Sequence, residues 1–362
     1  MSFSIQGIGC SNPRFSLEQS AAVEAVSELC CRSEEQKRLL KILHRRTRIR
    51  KRFSVLLERS EGAFTNEFYH LPCSEEDRGP GTAERMKLYE THAGQLSIQA
   101  SRKALAGSGC EAHEITHLIT VSCTGFFAPG SDLALIQGLD LSDQVHRVHL
   151  GFMGCQAVLN ALGVADSISR ADSSARILIA SVELCSLHFQ YGWDPEQVVS
   201  NALFADGAGS LVGGAFAEGQ RRGPRVLACG SKLIAGSASD MTWNIRDHGF
   251  SMTLSARVPA LIDQHLAGWL DDWLGRNGLS RDQVKSWVIH PGGPRILDAA
   301  RSALGLASEA TRVSLEVLSE YGNMSSATMV FLLRRLLDDG GQLPGVALGF
   351  GPGLTLEAVL LG

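Results

Sequence analysis

Hydrophobic positions along this chain fall into two alternating rhythms. Short apolar or alternating runs predict strands, and longer stretches with apolar residues three and four apart predict helices. Phe3 to Gly9 alternates as a strand and stops at the turn Cys10 to Pro13. Ser16 to Val26 has helical spacing, with Ser16 as its expected cap. Glu58 to Gly81 is polar and poorly periodic, as expected of an excursion over the surface. Thr82 to Leu105 predicts a long helix, with Tyr89, Ala93, Leu96, Ala100 and Ala104 on or near one face. A buried strand at Leu118–Ser122, a loop at Cys123–Gly130 and a short helix at Leu133–Leu139 follow. Next come a β-prone run at Val145–Leu150, a helix beginning at Cys155 and a strand at Ala175–Ser181. Asn201 to Gly214 is so rich in glycine that its backbone must turn or pass close to other backbone.

Gly219 to Pro224 reads as a seam, after which the pattern starts again. A strand at Val226–Cys229 precedes a long helix expected over Ser251–Leu274, and a buried strand at Trp287–His290 precedes a helix from Arg295. A helix at Ala327–Leu337 and strands at Val346–Phe350 and Leu354–Leu361 complete the chain. Strands alternating with helices imply a layered α/β architecture with parallel or mixed sheets. The repetition predicts an internal duplication, with halves at 1–222 and 223–362.

The chain has 362 residues, 44% of them hydrophobic, enough for a large core. Its 38 acidic against 34 Lys and Arg residues argue against a general nucleic-acid binder. The nine cysteines show no metal-ligand spacing. No basic-apolar leader precedes Pro13 and no run reaches transmembrane length, so a cytoplasmic protein is expected. The most basic stretch, Lys37-Arg38 and Lys41 to Arg52, reads either as a solvated helix face or as a phosphate patch. Without aromatic stacking positions it suits a small polyphosphate such as coenzyme A better than a nucleic acid.

Three residues sit at ends of predicted elements. Cys155 follows Gly151 and Gly154 and opens a helix, where the dipole and free N–H groups favour a thiolate. His290 ends a strand, and Asn323 lies in a Gly-Asn turn before a helix. Singly these read as a packed thiol, a bonded structural histidine and a turn. Together they fit a Cys-His nucleophile pair with an Asn donor for an oxyanion, the imidazolium holding the thiol near a pKa of roughly 4–7.

Gly154-Cys155, Phe204 to Ala208, His290 to Pro294 with Tyr321 to Ser326, and Gly349 to Gly353 occur in an order that resembles the type III polyketide synthases, the chalcone synthase-like enzymes. That resemblance implies a thiolase-like fold, two related halves in an α-β-α-β-α arrangement, and a homodimer. It implies an acyltransferase that extends an acyl-CoA starter with malonyl-CoA, both as substrates, with no cofactor and no metal. Cys155 would carry the chain, while His290 and Asn323 polarise the malonyl thioester and stabilise its enolate. Phe204 would be the gate between CoA tunnel and cavity and press the malonyl carboxylate towards decarboxylation. Arg46, with Arg45, Arg48 and Lys41, lies where the family meets CoA phosphates, although Leu39 and Ile42 stand at other positions of that contact.

Cavity positions implied by the resemblance are Cys123, Thr124, Ala128, Cys185, His188, Trp243, Met252 and Ser325. Ala128 corresponds to a residue that enters the partner subunit's cavity in plant members. Trp243 stands where plant members have a small glycine, and Met252 where they have a phenylalanine. A bulky aromatic starter should therefore be excluded and a linear fatty acyl chain admitted, gaining roughly 0.8 kcal/mol per buried CH2. The expected products are alkylpyrones or alkylresorcinols. The alternatives are a condensing enzyme resembling ketoacyl synthase III, served by a carrier protein, and a non-catalytic scaffold of the same fold.

Overall fold

Strand Asp206–Ala215 is buried at every position, as befits a strand covered on both faces. A side chain at Gly209 would collide with Val330, and one at Gly213 with the Ser4 backbone and Phe3. Its glycines therefore serve close approach rather than a turn. The strand pairs antiparallel with Phe3–Ser11 on one side and Arg176–Leu184 on the other. The sheet then runs in parallel through His117–Ser122 to the edge strand His146–Gly151. The structure, a computed structural model, describes residues 2–60, 63–216, 218–220 and 223–362. The boundary expected after residue 222, with part of the seam, lies outside the described residues.

A second sheet has the order Val226–Leu233, Thr355–Leu361, Gly345–Gly351, Ser286–Ile289. Its pairings are antiparallel, antiparallel and parallel. This repeats the order and directions of the first sheet up to its edge strand. Side-chain alternation splits the central strands between layers. Val346, Leu348 and Phe350 face one core while Ala347 faces the other. Helices Ala157–Ala171 and Thr328–Asp338 fill the space between the sheets and share a core with both. Thr82–Ser108 and Ser131–Leu139 cover the outside of the first sheet. Val258–Arg276 and Pro294–Ala303 cover the second. The result is the α-β-α-β-α layering of the thiolase-like fold.

Two sequence expectations need correction. The first helix spans Gln19–Cys30, and Ser16 is not its cap. Ser16–Glu18 forms a short strand paired with Lys51–Phe53 instead. The helix expected from Ser251 starts at Val258. Gly249–Leu254 is a strand hairpinned to Met241–Arg246, with Trp243 directly opposite Met252. The true signals were the two-residue alternation before Leu254 and Pro259 in the helix's first turn. The segment read as a surface excursion also buries Tyr69, which packs beside Tyr89 and Leu187. Among the described residues, no helix is long and apolar enough to cross a membrane.

Candidate active site

The turn after His146–Gly151 delivers Cys155. Phe152 has φ 59° and Gly154 φ 81°; a non-glycine residue in that region costs about 1–3 kcal/mol and points to a constrained loop. A side chain at Gly154 would overlap Pro352, and one at Gly351 would overlap Gln156. The Gly349–Gly353 segment thus abuts the cysteine loop, which is why both need glycine. Helix Ala157–Ala171 begins after Gln156, so Cys155 lies just before the helix rather than in its first turn.

His290 leaves strand Ser286–Ile289 with its N–H on the carbonyl of Leu348 at 2.8 Å. Asn323 follows Gly322, whose φ is 75°. Its backbone brackets Phe204: the Asn323 N–H donates to Leu203 O, and the Ala205 N–H to Asn323 O, each at 2.9 Å. The Asn323 Oδ1 accepts from the Ser325 N–H at 2.9 Å, and the Cys155 Sγ lies 4.0 Å from that oxygen. Cys155, Phe204, His290 and Asn323 line one small cavity of about 20 Å³, walled by Met241, Met252, Leu254, Ile296 and Phe350. Both ring nitrogens of His290 and the Nδ2 of Asn323 are buried without a partner among the described residues. Leaving such groups unpaired costs about 1–3 kcal/mol apiece. The chamber thus pairs a thiol with polar atoms free to act on a substrate.

The electrostatics differ from expectation. Burial lowers His290 to a pKa of about 3. Cys155 is half-buried, but its sulfur lies deep among protein atoms. Burial pushes its thiol up to about 12, with Ser325 and Asn323 partly opposing. Both shifts favour the neutral thiol and the neutral imidazole, opposite to the expected thiolate and imidazolium. Desolvation is the first cause of both shifts, for the thiol upwards and for the imidazole downwards.

An adjoining cavity of about 30 Å³ is lined by Cys123, Thr124, Cys155, Cys185, Phe204, Trp243, Met252 and Ser325. Cys185, Phe204, Trp243 and Met252 also line a larger cavity of about 420 Å³. That cavity extends past His188 to Ala22, Val26, Leu56 and Tyr69, and reaches the exposed Leu71. Trp243 is fixed by its indole N–H on the carbonyl of Cys123 at 2.7 Å. His188 is neutral, with a pKa lowered to about 3 by burial. Its Nδ1 accepts from the Phe250 N–H at 3.0 Å, so its Nε2 donates to Thr124 O at 2.7 Å. Its ring stacks on Phe250 at 4.1 Å.

Ala128 is exposed and lines none of these cavities. Lys41, Arg45, Arg46 and Arg48 are also exposed and line none of them. Arg48 lies 3.9 Å from Asp298, on the helix whose Ile296 walls the small cavity at Cys155. Nearby Ile49 packs against Leu203 and Phe204, which brings the basic end of helix Glu34–Arg46 towards Phe204.

Two residues escaped sequence reasoning. Glu183 accepts from the Cys123 N–H at 3.0 Å, the Thr124 hydroxyl at 2.7 Å and the Ser326 hydroxyl, and burial raises its carboxyl. A lone carboxylate ending the apolar strand Arg176–Leu184 was the available signal. Arg52, read as part of a surface patch, turns inward and lines the larger cavity. Among the described residues, no three His, Cys, Asp or Glu side chains are grouped to hold a metal ion.

Residues 3–216 match the N-terminal domain of the chalcone and stilbene synthases, and residues 226–362 match their C-terminal domain. The chain is 32% identical to the alpha-pyrone synthesis polyketide synthase-like protein Pks18 of Mycobacterium tuberculosis, over 98% of this chain and 90% of that protein. Among solved structures, PKS-I from the brown alga Ectocarpus siliculosus superposes with a TM-score of 0.93 at 30% identity, covering 99% of this chain and 98% of that one. The C-terminal type III polyketide synthase domain of Steely1, a type I/III hybrid from Dictyostelium, superposes at 0.89 with 27% identity, covering 100% and 99%. These matches support the polyketide reading over the ketoacyl synthase III and scaffold alternatives. The chain belongs to the chalcone and stilbene synthase family and is a type III polyketide synthase, an acyltransferase that condenses malonyl-CoA onto an acyl-CoA starter.

Proposed function

We propose that Cys155 carries the growing chain, that His290 and Asn323 act on the malonyl thioester, and that the starter is a linear fatty acyl-CoA. The Cys155 sulfur attacks the starter carbonyl, its proton passing to the neutral His290 imidazole, and CoA leaves as the thiol. Malonyl-CoA then enters the same chamber. Its carboxylate leaves as CO2, and the electron pair of the broken C–C bond moves into an enolate. The oxygen of that enolate is held by N–H donors of His290 and Asn323, the groups otherwise left unpaired. The enolate carbon attacks the Cys155 thioester, a C–C bond forms and the thiolate departs. Phe204, shared by all three cavities, strips water from the malonyl carboxylate.

The observation that carries the starter class is the 420 Å³ cavity, which shares Cys185, Phe204, Trp243 and Met252 with the chamber of the thiol. A flexible chain anchored at Cys155 has an apolar path there, whereas the fixed indole of Trp243 crowds a rigid aromatic ring. The Mycobacterium relative, named for alpha-pyrone synthesis, favours an alkylpyrone as product, with an alkylresorcinol as the other cyclisation outcome. The same reading has Lys41, Arg45, Arg46 and Arg48 meeting CoA phosphates, halves at 1–222 and 223–362, and a cytoplasmic homodimer in which Ala128 faces the partner's cavity. CoA thioesters are substrates and no further cofactor takes part. The test is to offer purified protein malonyl-CoA with a panel of acyl-CoA starters and read product masses. Long alkyl starters should outcompete 4-coumaroyl-CoA; preference for the aromatic starter would overturn the starter assignment.

A further inference from the structure

Helix Pro195–Leu203 ends at the gate residue Phe204. A helix leaves its last four carbonyls without intrahelical partners, and buried ones must be satisfied from outside. Ser200 O accepts from the Phe204 N–H at 3.2 Å, and Leu203 O from the Asn323 N–H at 2.9 Å. Ala202 O accepts from Gln19 Nε2 at 2.8 Å. Asn201 O is taken by Arg52 Nη1 at 2.7 Å, and the same nitrogen holds the carbonyl of Phe204 itself at 2.8 Å. Arg52 is aimed by its Nε on Gln19 Oε1 at 2.9 Å. A side chain at Gly322, next to Asn323, would crowd Arg52 Cγ at 3.0 Å.

We propose that Arg52 is a positioning residue for the decarboxylation and condensation steps, locking Phe204 and Asn323 into one unit by holding the carbonyls on either side of Ala202 and Leu203. The backbone bridge between Phe204 and Asn323 makes the coupling direct. If the Phe204 peptide rotates, the Asn323 backbone on both sides of the bridge moves with it. The planar guanidinium spans Gln19 and two carbonyls at fixed angles, which a single ammonium cannot reproduce. Cys155 stands on another element and receives none of these bonds. Its acylation should therefore be spared.

The inference rests on the roles proposed above for Phe204 and Asn323, so Asn323→Ala is run beside Arg52→Lys and Gln19→Ala. Two rates are read separately: acylation of Cys155 by acetyl-CoA, whose acyl group is too short to enter the larger cavity that Arg52 lines, by quenched mass spectrometry, and CO2 release from malonyl-CoA. A misplacement of about 1 Å costs on the order of 100-fold, so Arg52→Lys should lose about 10–100-fold in CO2 release while acylation stays within about threefold. Gln19→Ala should shift the ratio of the two rates the same way, by less. Equal loss of both rates, or loss of neither, overturns the inference. Should Arg52→Lys fail to fold, an unchanged ratio in Gln19→Ala overturns it instead. If Asn323→Ala itself spares CO2 release, the proposed role of Asn323 falls.

Discussion

Of the three cavities that meet at Phe204, the smallest and the largest are built in opposite ways. The catalytic chamber is small, and its key residues stand at the ends of elements: Cys155 before a helix, His290 after a strand, Asn323 after a positive-φ glycine. It keeps unpartnered polar atoms that a merely stable core would have satisfied. The larger cavity draws on helix Gln19–Cys30, the stretches around Leu56 and Tyr69, and the hairpin holding Trp243 and Met252. Its walls are mostly apolar, and the polar atoms of Trp243 and His188 are tied off in hydrogen bonds. In the function proposed above, chemistry rests on a few constrained positions and substrate choice on the summed volumes of many ordinary ones.

The contrast breaks most completely at Cys155, the proposed nucleophile. Cys155→Ala should abolish both the acyl-enzyme adduct and product formation, measured by intact-protein and product mass spectrometry, with no loss of fold. Asn323→Ala comes next. Losing one oxyanion donor costs about 3–4 kcal/mol, or roughly 100- to 1,000-fold, and the loss should fall on malonyl-CoA decarboxylation rather than on loading. Equal damage to both steps would contradict a division of labour within the chamber.

Protonation sharpens the same comparison. With burial raising the Cys155 thiol to about 12, the thiolate is a minute fraction at neutral pH and grows tenfold with each pH unit. Alkylation of Cys155 by iodoacetamide, read on its own peptide, should therefore climb about 100-fold from pH 7 to pH 9. A plateau below pH 8 would mean that an imidazolium holds the thiolate after all. The smallest effect belongs to the larger cavity. Ala22→Phe should leave short starters unaffected and lower kcat/KM for long ones, by about fourfold for each methylene excluded. Equal loss across chain lengths would show that the alkyl chain lies elsewhere.

Legibility in the sequence followed the same division. Strand and helix periodicities identified most elements of both sheets, because burial on alternate faces imposes a two-residue rhythm that composition cannot hide. Cys155, His290 and Asn323 were visible because Gly154, the Pro291–Pro294 stretch and Gly322 advertise special backbone. The hairpin Met241–Leu254 was lost where its alternation ran into the apolar start of a helix, and with it the pairing of Trp243 and Met252. Arg52 was hidden inside a run of exposed cations. Only the tertiary placement of Gln19 and of a helix C-terminus distinguishes it from Arg50 or Lys51. Direction of pKa shift was equally out of reach, since the burial of Cys155 and His290 comes from layers distant in sequence.

The most direct measurement is peptide mapping of the protein after brief exposure to decanoyl-CoA, with and without malonyl-CoA. A decanoyl thioester is expected on the peptide carrying Cys155, with ketide increments on that same peptide once malonyl-CoA is present. An adduct on Cys123 or Cys185, which line the adjoining cavity with Cys155, or one on Cys155 that malonyl-CoA never extends, would contradict the assignment.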